Sequence, residues 1–168
     1  MTCAHDSEEH SEKVEQQLRS AGWFPGRRID TTTAVQQLTA HGFGVTELGA
    51  AVLAEFAGLS WYGISGGGIL NFEFDVAPAV SVLSVEKLAR YDHWLGYGPG
   101  GLTPFGWGDG YIALASDYDV LLLGDLMPDY LTFPGVAVFL RFVFDPGHEP
   151  HRALIPPDSP PVSGDSSR

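Results

Sequence analysis

The apolar residues of this chain change period near residue 60, and that change constrains the fold more than any other feature. Before it, Val14, Leu18 and Ala21, then Ala34, Val35 and Leu38, then Leu48, Val52, Phe56 and Leu59 recur at three- and four-residue steps, the spacing of helices with one buried face. After it, short blocks such as Leu70-Asn71-Phe72-Glu73-Phe74-Asp75 alternate apolar with polar residues, and glycines separate them, as in strands joined by turns. The first third is therefore helical, and an antiparallel meander is the simplest topology for the short strands that follow.

The local signals refine this order. A first helix is expected over Asp6–Ala21, with Glu8, Glu9, Glu12 and Glu15 early, where the helix dipole favours negative charge. Gly22 ends it, and Trp23-Phe24-Pro25-Gly26-Arg27 must turn the chain, since Pro25 fixes its own φ and pushes Phe24 toward an extended conformation. The two aromatics are expected to act as a hydrophobic clasp between the first two helices. Asp30 or one of Thr31–Thr33 caps the second helix, with Thr33 and Gln36 at capping-box spacing, and Thr46 opens the third. Trp61–Ile64 and Leu70–Asp75 read as a hairpin about Gly66-Gly67-Gly68, and Ser84 caps a fourth helix through Leu95. Leu102–Phe105, Tyr111–Ala115 and Val120–Leu123 read as a meander, divided by Gly106–Gly110 and Ser116–Asp119. The run Val136–Phe144 has no decisive period, and its β-branched and aromatic content points to a strand.

Composition bounds the function. A chain of 168 residues, 44% of them hydrophobic, is long enough for one domain with a real core. No apolar run approaches the ~20 residues of a spanning helix, and the polar, acidic start does not resemble a signal peptide; a cytoplasmic protein is expected. Nine Lys+Arg against 21 Asp+Glu leave a formal charge of −12. That charge disfavours nucleic acid and anionic membranes, which are bound by neutralising phosphates. Between Ile69 and Asp129 stand Glu73, Asp75, Glu86, Asp92, Asp109, Asp117, Asp119, Asp125 and Asp129 against Lys87 and Arg90 alone. Such a field either steers a basic partner into contact or merely keeps the chain soluble.

Catalytic and metal readings fare poorly. A single cysteine, Cys3, excludes an internal disulfide, multi-cysteine zinc sites and the deaminase zinc site. His148 and His151 are three apart around Pro150, not four apart on a helix. Gly63-Ile64-Ser65-Gly66-Gly67 matches a nucleophile elbow in letters only, because an alternating strand follows it where a helix is required. Asp117 and Asp119 alternate across an expected turn and read as solvated turn residues rather than an acid–base pair, and Glu73 and Asp75, on one side of their expected strand, make a better interaction face than an active site. No cofactor is expected.

Gly22-Trp23-Phe24-Pro25-Gly26-Arg27 before a capped helix, Phe56–Leu59 closing the next one, and Leu102-Thr103-Pro104-Phe105-Gly106 followed by Tyr111–Ser116 together resemble the SUKH superfamily, specifically its third group of immunity proteins. The resemblance covers roughly Ser11–Asp125. It implies an α+β fold with a central, mostly antiparallel sheet and helices packed against it; the single domain is expected over 11–144, between a flexible acidic N-terminus (1–10) and a tail (145–168) whose Pro, Ser, Gly and charge content predicts disorder. It also implies a binding scaffold rather than an enzyme, used by bacteria with polymorphic toxin systems to neutralise a cognate toxin, often a nuclease or nucleic-acid deaminase. After Asp125, where the family's closing helix belongs, the chain departs from the pattern. Expected contacts with a basic toxin are Glu73, Asp75, Asp92, Asp109, Asp117 and Asp119, with Trp107 and Tyr118 as aromatic anchors; Gly22–Arg27 is expected to be structural. A general interaction module of the same fold, binding a non-toxin partner, is the alternative.

Overall fold

In the computed structural model the described residues are 12–63, 71–89, 96–97, 100–124, 129–144 and 151–154. The helical first third is as the spacing predicts. Helix α1 spans Glu12–Ser20, α2 Thr32–Ala40 and α3 Glu47–Phe56, burying Val14 and Leu18, Leu38, and Val52, Leu53 and Phe56 respectively. Thr46 caps α3, its hydroxyl accepting from Gly49 N at 3.0 Å. At α2 the capping side chain is Asp30, whose Oδ1 accepts from both the backbone N and the hydroxyl of Thr32. Thr33 lies inside the helix, so the Thr33–Gln36 capping box does not form.

Seven strands, β1 (Ser60–Tyr62), β2 (Asn71–Glu73), β3 (Thr103–Gly108), β4 (Tyr111–Ala115), β5 (Val120–Gly124), β6 (Asp129–Phe133) and β7 (His151–Leu154), form one antiparallel sheet in sequence order. The molecule is therefore α+β, with helices against a central sheet. Strand β3 runs further than its glycines suggest, through Trp107 and Gly108. The hairpin loop is the pair Asp109-Gly110, with φ of 48° and 81°, the positive-φ turn that matches strand twist and favours Asp-Gly. Pro104 is accommodated because a register irregularity follows it before Gly106 and because β2 meets β3 only at Trp107.

Two helices differ from the sequence reading. Strand β2 stops at Glu73, and Asp75 caps a short helix α4, Val76–Val82, by accepting from Ala77 N at 2.9 Å. Pro78 sits in its first turn, where a missing N–H costs nothing, and the proline and the valine content hid the helix in the sequence. Helix α5 is described over 85–89 and capped by Ser84, whose Oγ accepts from Lys87 N at 3.0 Å.

The larger correction is Val136–Phe144, which is helix α6, not a strand. Its buried residues Phe139, Leu140, Val143 and Phe144 stand at helical spacing, a period masked in the sequence because the opposite face is also mostly apolar. The ring of Phe139 lies 5.4–5.7 Å from those of Phe72, Phe105 and Phe133, and Phe144 meets Trp61 edge-on at 5.2 Å. The apolar face is covered by the chain's own sheet. Strand β7 lies within the stretch expected to be a disordered tail; the rest of that tail, and residues 1–10, fall outside the described residues.

Cross-strand partners share a face, which defines two layers. One face, carrying Trp61, Phe72 and Phe133, packs on α6, and Trp61 Nε1 donates to Gln17 of α1 at 3.0 Å. Helix α3 joins this layer through a buried network. Thr103 Oγ1 accepts from Thr46 N at 2.6 Å and donates to Gly44 O, while Thr46 Oγ1 donates to Ala115 O at 3.1 Å. Thr103→Val keeps the shape but strands the buried Thr46 N–H and the part-buried Gly44 carbonyl, so it should lower stability by about 1–3 kcal/mol, read as a shift in urea midpoint. The other face carries Ile112, Leu114, Leu121 and Leu123, all at most 1% exposed.

Candidate partner-binding surfaces

The Gly22–Arg27 motif is built from a helix end. Gly22 at φ +99°, with Gly22 N donating to Arg19 O and Trp23 N to Leu18 O, forms a Schellman cap on α1. The cap drives Trp23 inward, 8% exposed, where Nε1 donates to Glu55 Oε1 at 3.0 Å. Pro25 and Gly26 occupy the centre of a turn closed by Arg27 N donating to Phe24 O at 3.0 Å. The turn delivers Arg27 to the end of α3, where its guanidinium donates to Glu55 O and Ala57 O, neutralising carbonyls at the negative end of that helix. The motif therefore ties α1 to α3 rather than to α2. Only one aromatic is part of the clasp, since Phe24 is 55% exposed.

The residues expected to contact a partner fall into two groups at opposite ends of β4, about 13 Å apart for a five-residue strand. At the β4–β5 turn, Ser116 Oγ accepts from Tyr118 N and Asp119 N, and Ser116 N donates to Asp119 O. These bonds fix the turn and leave Tyr118 83% exposed. Asp117 Oδ1 accepts weakly from Glu47 N, in the first turn of α3, at 3.4 Å, and Asp119 Oδ2 accepts from Tyr97 OH at 3.3 Å. Burial, reinforced by the Asp119 charge, holds the Tyr97 hydroxyl above its ordinary pKa against an opposing hydrogen bond with Ser116.

At the other end, register places Glu73 opposite both Ser60 and Trp107, and Tyr62 opposite Asn71, so these side chains share one sheet face. Tyr62, 68% exposed, donates its hydroxyl to Glu73 Oε1 at 2.8 Å. That bond and the Glu73 charge raise the Tyr62 pKa. Trp107 is half-buried beside them, and its Nε1 is shut from water without an acceptor among the described residues, a state that costs about 1–3 kcal/mol. Asp109 is exposed at the adjoining β3–β4 turn.

One expected contact joins neither group, and another is not described. Asp75 was placed beside Glu73 on one strand face, but β2 ends before it and its carboxylate serves α4. Asp92 lies outside the described residues, as do Ser65 and His148. Tyr62 was missed by sequence reasoning, because only the register shows that it stands diagonally across from Glu73. Among the described residues no group of three or more His, Cys, Asp or Glu is placed to hold a metal ion, and no helix is long and apolar enough to cross a membrane.

The clasp and the capped helices around it lie inside the region that relates this chain to known proteins, because residues 10–97 match the family described as SUKH-3 immunity protein. The chain belongs to the SUKH-3 immunity protein family. That family is one of immunity proteins, not of enzymes, and membership implies a cognate toxin as partner. The family match includes β1 and β2 and stops before β3, short of the Asp125 limit expected from the sequence. No curated protein and no solved structure matches this chain.

Proposed function

We propose that this SUKH-3 protein acts in the bacterial cytoplasm as the antidote of a polymorphic toxin, binding a basic toxin domain, a nuclease or nucleic-acid deaminase, and blocking it without chemistry of its own. Family membership carries the reading, and the formal charge of −12 supports its electrostatic half. Enzymes that hold nucleic acid present Lys and Arg to phosphates, so an acidic protein competes for the same surface and arrives faster than an uncharged one. Glu73, Trp107 and Asp109 at one end of the sheet, or Asp117, Tyr118 and Asp119 at the other, are the contacts, with Asp75 contributing to the field rather than to the contact.

Co-expression with the toxin encoded beside this chain's gene should restore growth, and the purified pair should bind more weakly as salt rises, since exposed charge interactions are screened. Growth arrest despite expression, with no binding at low salt, would refute the proposal. Binding that ignores salt would keep the antidote role but replace its electrostatics by an apolar contact.

A further inference from the structure

Resting on that antidote reading, we propose that the toxin docks on the open sheet face of β1–β3, where Tyr62, Glu73 and Trp107 receive an arginine side chain of the toxin, and not on the Tyr118 turn. The two faces of this part of the sheet differ sharply. Trp61 and Phe72 point into the layer of α1 and α6, whereas Ser60, Tyr62 and Asn71 on the opposite face are exposed and Glu73 and Trp107 are half-buried. On β3–β5 the same face carries Ile112, Leu114, Leu121 and Leu123 and is buried. Burial on this face thus falls off at Trp107, and among the described residues Tyr62, Glu73 and Trp107 form a face of two aromatics and one carboxylate with no helix packed on it.

Charge selects the occupant. Strands β1, β2 and β3 contain no Lys or Arg, and the chain as a whole is strongly acidic. A second copy is therefore opposed by like charge, while a basic partner is attracted. A guanidinium fits the chemistry in two ways, since it stacks on aromatic faces and forks onto a carboxylate. The Tyr62–Glu73 hydrogen bond holds the carboxylate beside the phenol ring in the free protein, which reduces the side-chain ordering needed on binding.

The test compares Tyr62→Ala and Glu73→Gln with Tyr118→Ala, each titrated with the toxin domain encoded beside the gene, alongside melting curves and sedimentation of each variant alone. Tyr62→Ala and Glu73→Gln should weaken toxin binding by about tenfold or more with melting almost unchanged, and Tyr118→Ala should bind like the parent. Parent-like affinity in Tyr62→Ala and Glu73→Gln overturns this docking face while leaving the antidote reading intact, and a loss confined to Tyr118→Ala moves the interface to the turn. A parent that binds no neighbouring toxin overturns both. A dimer of the parent that Tyr62→Ala dissolves assigns the face to a second copy and likewise overturns the proposal.

Discussion

Replacing Phe139 by alanine should lower the unfolding free energy by about 3–5 kcal/mol, the range for truncating a fully buried phenylalanine. Phe139 is 0% exposed and its ring meets Phe72 of β2, Phe105 of β3 and Phe133 of β6 at 5.4, 5.7 and 5.7 Å. One side chain from α6 therefore fastens the neighbouring strands β2 and β3 to β6, which lies beyond β4 and β5 in the sheet order. The rigid rings around it cannot collapse fully into the space left behind, so the cavity adds to the lost burial. Urea unfolding followed by far-ultraviolet dichroism measures the loss. A destabilisation below about 1 kcal/mol would mean that α6 does not pack on this sheet face. Val138→Ala, at a half-buried position of the same helix, serves as the comparison and should cost far less.

The second large effect is expected at Trp23. Trp23→Ala removes a ring that is 8% exposed and strands the Glu55 carboxylate that accepts from its indole, so a loss of about 3–5 kcal/mol is expected. Phe24→Ala, one residue on but 55% exposed, should change stability by less than about 1 kcal/mol. The contrast between the two aromatics is the measurement: a similar cost at both would show that the pair clamps together, and a negligible cost at Trp23 would show that the α1–α3 clasp does not form. Because the clasp acts through stability, Trp23→Ala should leave the toxin affinity of the remaining folded protein unchanged. Weaker binding at unchanged melting would place the motif in the interface.

Much of this fold is legible in the sequence, and the legible parts share a cause. Thr46 before Glu47–Phe56, Ser84 before 85–89, and the alternation around Phe72 are local signals: each is set by a capping hydroxyl or by which side of a short segment is apolar. The parts that were not legible are those where local preference and final environment conflict. Val136–Phe144 has the composition of a strand, and Val76–Val82 carries Pro78 and four valines or alanines in succession with it. Tyr130-Leu131-Thr132-Phe133 stands between Pro128 and Pro134 in the sequence, yet it pairs with β5 at four positions. Nothing within these segments states which neighbour awaits them.

The candidate surfaces show the same division at the scale of single residues. Acidity, the aromatic at Tyr118 and the turn around Ser116 could be read from residue types, but their grouping could not. Asp75 looked like a partner of Glu73 because both are odd-numbered in an alternating run, and the chain broke the alternation by starting a helix at Val76. Tyr62 and Glu73 are joined by strand pairing across the hairpin.

The sequence by itself determined the helical first third, the antiparallel β3–β5 meander, the Trp23 cap region, the net charge and the family, since each depends on residues close together or on composition. Tertiary structure alone decided that Val136–Phe144 is a helix, because its β-favouring residues gain more by filling the aromatic hollow over Phe72, Phe105 and Phe133 than by joining the sheet. It also decided that the clasp reaches α3 and that Tyr62, Glu73 and Trp107 share one open face, because both depend on contacts between residues far apart in the chain, which only the packed molecule brings within reach.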